Sequence, residues 1–152
     1  MSMLLEQRLE QDLKKAMFAG DAKRVMTLRN MKSALLNLKV ASGKRESGLT
    51  DEEVLPVLSK EAKKRQESAD FYVQGGSQDR ADLELAEKAI IEEYLPKQLS
   101  EQEIIAIVVE VISGLGVSGP DAMGQVIGQV KAKTGATADG GLIAKIVKEK
   151  LR

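Results

Sequence analysis

The stretch Tyr94-Leu-Pro-Lys-Gln-Leu-Ser-Glu-Gln-Glu-Ile104 decides the architecture of this chain, because it ends one helix and begins another. Pro96 cannot continue a helix, since its ring clashes with the preceding turn and it lacks an amide donor. Ser100 and Glu103 have the spacing of a capping box, in which a hydroxyl and a carboxylate satisfy the first free amides of a new helix. A domain boundary is therefore expected at Pro96.

On both sides of this boundary, apolar residues recur with the spacing of amphipathic helices. Four helices are expected upstream, two of them long, at about residues 4–18, 22–41, 51–74 and 79–94. Three short helices are expected downstream, from residues 101 and 120 and in the last ten or so residues. We predict an all-α fold with a helical N-terminal domain at 1–96 and a small three-helix tail domain at 97–152.

Three local features complicate this pattern. Pro56 lies six residues into the third helix and should kink it or delay its start. The helix from residue 101 is rich in β-branched residues and could pass for a buried strand, although its cap favours a helix. Gly124 and Gly128 are four residues apart, and we interpret them as a site of close helix–helix packing in a soluble core.

The composition argues against several classes of enzyme. The 152-residue chain contains neither His nor Cys, which excludes Ser-His-Asp and Cys-His nucleophilic sites and the usual zinc ligand sets. Carboxylate or lysine chemistry remains possible in principle, but acids scattered along helices are ordinarily solvated. We therefore predict a protein that is not an enzyme and needs no metal or cofactor. The absence of Cys, of a signal peptide and of a long apolar run predicts a cytoplasmic protein that does not cross a membrane.

Charge gives only local support for nucleic-acid binding, because the chain has 23 basic and 23 acidic residues and no net charge. From residue 120 onward, the chain has six basic and three acidic residues, which gives this segment a net charge of +3. Within this segment Lys131, Lys133, Thr134 and Gly135 form a basic helix end followed by a small turn. Such a helix end could seat a phosphodiester backbone, although the two lysines also complement the helix dipole.

A second basic patch is expected in the N-terminal domain, with Arg29 on the second helix and Lys64 and Arg65 on the third. The alternative interpretation is a solvated helix face, in which Glu61 pairs with Arg65 four residues later.

Several runs of sequence resemble the GatB/YqeY family, and specifically its stand-alone YqeY branch. The resemblance covers essentially the whole chain in the correct order, and only Pro56 and the paired Gly140-Gly141 depart from it. It is carried by Leu28–Leu35, Glu61–Ala69, Tyr94–Ile104, Met123–Val126, Thr134-Gly135 and Ala138–Gly140.

This resemblance implies a helical N-terminal domain joined to a tail domain. Similar tails end the GatB component of the glutamine-dependent amidotransferase that makes Gln-tRNA and Asn-tRNA, and occur in some glutaminyl-tRNA synthetases. There the tail helps to hold tRNA, while amide chemistry takes place in other domains. A carbon–nitrogen ligase label with glutamine as amido donor would therefore describe relatives of this chain.

Three functions follow as expectations from the resemblance. The first is a non-catalytic accessory module that binds tRNA through backbone and shape contacts, with Lys131, Lys133, Thr134 and Gly135 in the tail and Arg29, Lys64 and Arg65 as a second patch. The alternative is a protein-interaction module that docks on an amidotransferase, a synthetase or another translation component. The third, by family association only, is glutamine-dependent ligase activity of the chain itself.

Overall fold

The computed structural model describes residues 3–152, and the prediction of an all-α fold is confirmed. Two 3₁₀ turns, Pro120–Ala122 and Gly135–Thr137, flank the sixth helix. The chain forms two compact units, one ending at Leu95 and the other running from Pro96 to Arg152. The helices are α1 Leu5–Ala19, α2 Ala22–Ser42, α3 Asp51–Gln74, α4 Gln78–Glu92, α5 Glu101–Leu115, α6 Met123–Thr134 and α7 Gly140–Lys150.

The first unit packs α1 to α4 around an aliphatic core. Gly20 ends α1 with a positive φ of 68°, a conformation open to glycine, and Asp21 accepts a hydrogen bond from the amide of Arg24 to cap α2. Burial of the apolar side chains of this core supplies the main driving force for folding of the unit. The core residues are Leu9, Leu13, Ala16, Leu28, Met31, Leu35, Leu49, Val54, Leu58, Ala62, Ile91 and Tyr94.

The start of α3 differs from the sequence expectation at Pro56. The helix begins at Asp51 and continues through Pro56 to Gln74, so the predicted late start is wrong. Thr50 and Glu53 form a complete capping box. Because this cap satisfies the first turn, the missing donor at Pro56 removes a single intrahelical hydrogen bond, and the helix tolerates that loss.

The second unit packs α5, α6 and α7 around a separate core. The β-branched segment is a helix from Glu101 to Leu115, as its cap predicted, and Ser100 and Glu103 form the second complete capping box. Pro120 begins a 3₁₀ turn, and the α-helix itself begins at Met123. The core residues are Ile104, Val108, Val111, Val126, Val130, Ile143, Ile146, Val147 and Leu151.

The interpretation of Gly124 and Gly128 as a helix-packing site is wrong. Both residues are exposed, and a Cβ atom added to either one would meet no other heavy atom within 4 Å. Val126 and Val130 instead fill the interface of α6, because they lie on the opposite side of the helix.

Within residues 3–152, no single helix is long and apolar enough to cross a membrane. Only α5 taken together with Pro120–Thr137 meets the length and composition requirement, as a pair bent by 104°.

Candidate nucleic-acid interface

The tail candidates lie where α6 ends and the chain turns toward α7. Lys131 and Lys133 are exposed in the last turn of α6, where positive charge complements the helix dipole. Gly135 follows with φ 55° and ψ −130°, a conformation that side chains other than hydrogen strongly disfavour. The turn therefore depends on glycine at this position.

Lys131 extends over the first residue of α7. Its Cε and Nζ atoms lie 3.3 and 3.4 Å from the position that a Cβ atom would take on Gly140. The carboxylate of Asp139 accepts a hydrogen bond of 3.0 Å from the amide of Leu142 and so caps α7. The Lys131 ammonium thus lies beside a helix N-terminus, where the backbone amides also favour an anion.

Lys133 has an internal partner on the neighbouring helix. Its Nζ lies 3.6 Å from Oε1 of Glu110, and the two side chains are 49% and 73% exposed. An ion pair this open to solvent contributes at most about 1 kcal/mol, so Lys133 can exchange Glu110 for another anion at little cost.

Thr134 occupies a different environment from the lysines. It is 5% exposed, and its carbonyl oxygen accepts a hydrogen bond from the hydroxyl of Thr137. The Thr134 hydroxyl is itself buried. Thr134 therefore supports the turn from within, whereas the two lysines and Gly135 lie at the surface.

Four cations that were not among the candidates extend the positive surface along α7. None of them forms an ion pair within the described part of the chain, and all four are exposed. Lys145 and Lys148 are three residues apart and so lie on one face of α7, and Arg152 follows the end of that helix. That spacing was the available signal in the sequence. The four are Lys145, Lys148, Lys150 and Arg152.

The three candidate residues of the second patch differ in whether they form ion pairs. Arg29 is exposed on α2 and has no ion pair among residues 3–152. Lys64 pairs with Glu61 at 3.4 Å within α3.

Arg65 instead lies against α4. Its Nε is 3.0 Å from Oε2 of Glu87, and its Nη1 is 4.0 Å from Oε2 of Glu84. The side chain of Arg65 is 21% exposed. Glu61 thus pairs with Lys64 three residues on, whereas Arg65, its expected partner, joins α3 to α4.

No set of three or more His, Cys, Asp or Glu side chains within residues 3–152 is arranged to hold a metal ion.

Comparison with known proteins fits the helical order and the motifs described above. The model of the family described as Yqey-like protein matches residues 6–151. This chain belongs to the YqeY-like family.

Among curated YqeY relatives, the chain is similar to "Altered inheritance of mitochondria protein 41, mitochondrial" of Kluyveromyces lactis. The two are 35% identical over 130 residues, which cover 83% of this chain and 69% of the relative. Neither the YqeY family description nor the relative's name states a catalytic activity. The resemblance to YqeY drawn from the sequence motifs is confirmed.

Proposed function

We propose that this YqeY-like protein is a non-catalytic accessory module that binds tRNA through the phosphate backbone, with its tail as the principal contact surface. The proposal rests on one difference between the units, namely how their positive charges are used.

Many cations of the first unit form ion pairs with its own carboxylates, although others, such as Lys14 and Lys15, form none among residues 3–152. Several of these pairs join two helices or tie a loop to a helix, so their positive charge serves the fold. Examples are Arg24 with Glu93 at 3.1 Å, Lys32 with Glu10 at 2.6 Å, Lys39 with Glu6, Lys44 with Glu53, and Arg65 with Glu87 at 3.0 Å.

The cations of the tail are mostly available to an external anion. Among the described residues of the tail, Lys133 is the one lysine with an ion pair, and that pair is exposed. Lys131 lies beside the N-terminus of α7, where amides and ammonium together suit a phosphate oxygen. Phosphate contacts position a protein on RNA without sequence specificity, which fits a surface that has no aromatic platform for bases.

A titration of purified protein against bulk tRNA at low and moderate salt tests the proposal. With roughly 3–5 phosphate contacts, the log–log slope of affinity against salt should be about −2 to −5. The double variant K131E/K133E should reduce the affinity at least about tenfold, because two contacts become repulsive.

The matched control is K14E/K15E, which makes the same charge change on two exposed lysines of α1 that have no ion pair among residues 3–152. It should leave affinity within about threefold of wild type. Salt-independent binding, or equal losses in the two variants, would contradict the proposed role of the tail.

A protein-docking function is the second candidate, and exposed aromatic rings favour it. Phe18 is 94% exposed at the end of α1, and Phe71 is 73% exposed near the end of α3. Exposed aromatics are common anchors of protein interfaces. An amidotransferase, a synthetase or another translation component would be the partner. Retention of such a partner after nuclease treatment, and its loss in F18S/F71S, would favour docking over tRNA binding.

A further inference from the structure

A small cavity opens at the end of the tail that is remote from Lys131 and Gly135. Its volume is about 220 Å³, and it lies between the turn before α6 and the end of α7. Because the 11 residues of α7 rise about 1.5 Å each, the helix separates the two ends of the tail by roughly 16 Å. The cavity is lined by Pro120, Met123, Lys148, Leu151 and Arg152.

The walls of the cavity combine apolar groups with two positive charges. Met123, Leu151 and the ring of Pro120 provide an aliphatic surface with a flexible thioether, which adapts well to different side chains. Lys148 and Arg152 are exposed and have no ion pair among residues 3–152. Asp121 and Glu149 neighbour lining residues in the sequence, but neither lines the cavity. The charged side chains that line the cavity are therefore cationic.

The size and lining of the cavity select the class of ligand. Pockets for small molecules and cofactors typically measure about 300–1,000 Å³, so this cavity is too small for a nucleotide and suits a single side chain. The lining also has no aromatic ring on which a nucleobase could stack. An apolar side chain that enters such a surface is removed from water, which is favourable.

We propose that this cavity receives one apolar side chain from an acidic segment of a partner protein, with Lys148 and Arg152 pairing with carboxylates beside that side chain. A buried apolar anchor supplies most of the affinity in this arrangement, and complementary charges at the rim select the partner. The cavity lies away from Lys131 and Lys133, the two lysines proposed to contact phosphate, and the proposal goes beyond the binding of tRNA.

Two synthetic peptides test the proposal on the full chain. One is a short peptide of Glu and Asp with a central leucine, and the other has serine in place of the leucine. The readout is the methyl resonance of Met123 in protein labelled at its methionine methyl groups, assigned by its absence from Met123→Leu. The leucine peptide should shift this resonance saturably, whereas the serine peptide should bind at least about tenfold more weakly.

Two charge-reversal variants locate the site. K148E/R152E should weaken binding of the leucine peptide roughly tenfold or more, because the rim becomes repulsive. K145E/K150E makes the same charge change on α7 outside the cavity and should alter affinity less than about threefold.

Three results would overturn the proposal. They are equal binding of the two peptides, equal effects of the two variants, and a Met123 methyl that responds to tRNA rather than to the leucine peptide. The tRNA titration of the same variants is scored separately, so failure of tRNA binding and failure of this site are distinguishable.

Discussion

The hydroxyl of Tyr94 donates a hydrogen bond to Oδ2 of Asp12, which lies 82 residues earlier in the chain. The guanidinium of Arg8 lies 4.3 Å from the centre of the Tyr94 ring and donates a hydrogen bond of 3.1 Å to the carbonyl of Glu93. Arg24 adds an ion pair to the Glu93 carboxylate. The last residues of the first unit are thereby fixed to α1 and α2.

Replacing Tyr94 by Phe should lower the free energy of unfolding by about 1–3 kcal/mol, because the hydrogen bond to a charged acceptor is lost while the buried ring remains. Urea denaturation at neutral pH measures the change. Tyr72→Phe is the control, since Tyr72 is only half-buried. Equal stabilities of the two variants would contradict the importance of the Asp12 contact.

The same tyrosine should make stability fall at alkaline pH. Burial first, and then the hydrogen bond to Asp12, raise the pKa of the Tyr94 hydroxyl above its ordinary value of about 10. This contribution is complete below the pKa of the unfolded chain and is lost as pH rises from there through the folded-state pKa. Denaturation curves above about pH 10 should therefore show a steeper loss of stability in wild type than in Tyr94→Phe.

Glu6 should contribute to stability at neutral pH but not in acid. Burial raises the pKa of its carboxyl, but the ion pair with Lys39 and the hydrogen bond from the Leu49 amide, at 3.0 Å, outweigh burial and lower it overall. The contribution is present above the unfolded-state pKa and disappears as pH falls through the lower folded-state value. Glu6→Gln should therefore be less stable than wild type at pH 7, and the difference should shrink below about pH 4.5.

The exposed acid Glu46 provides a matched control for Glu6. Glu46→Gln changes the same chemical group in a loop where no ion pair holds it among residues 3–152, so its stability should follow that of wild type. An identical acid profile for the two variants would show that Lys39 and Leu49 do not stabilise the Glu6 carboxylate.

Two glycines of the tail should respond to alanine in opposite directions. Gly135→Ala should cost about 1–3 kcal/mol, because φ 55° with ψ −130° is strained for any side chain. Gly128→Ala should stabilise by about 0.5–1 kcal/mol, since it lies within α6 and its Cβ would face open space. Thermal unfolding of both variants measures the effects, and a stabilising Gly135→Ala would contradict the turn geometry.

Removing the partner of Lys133 should strengthen tRNA binding. Glu110→Gln frees the Lys133 ammonium, which lies 3.6 Å from the Glu110 carboxylate, and removes a negative charge from the surface. The affinity should rise by about two- to fivefold, in line with one exposed ion pair. Titration of tRNA at constant salt measures it, with Glu149→Gln as the control of equal charge. Weaker binding by Glu110→Gln would argue against a phosphate contact at Lys133.

In the second patch, we expect Arg65 to stabilise the fold and Arg29 to contact tRNA. Arg65→Met should lower stability by about 1–2 kcal/mol, because Glu84 and Glu87 lose their partner between α3 and α4. Arg29→Met should leave stability nearly unchanged and weaken tRNA binding about two- to fourfold if a phosphate contacts it. Urea denaturation and tRNA titration on both variants measure these effects, and a large loss of stability in Arg29→Met would contradict its exposed placement.

Much of the fold was predictable because its determinants are local. The capping boxes at Thr50–Glu53 and Ser100–Glu103 lie within one helical turn, so residue type and spacing suffice to identify them. The apolar periodicity of each helix is likewise a property of neighbouring residues. The late start predicted at Pro56 was wrong because a good cap compensates for one lost hydrogen bond, and that balance is energetic rather than visible in spacing.

The sequence by itself determined the all-helical class, the positions of the helices and the family, since caps, periodicity and motifs act over a few residues. Only the tertiary structure decided that Lys131 is available while Arg65 is engaged, that Gly124 faces open space, and that Tyr94 reaches Asp12. Such contacts join residues from different helices, and the rotation and crossing of packed helices fix them. Two lysines or arginines that look alike in the sequence therefore differ in their contacts because of what packing places beside them.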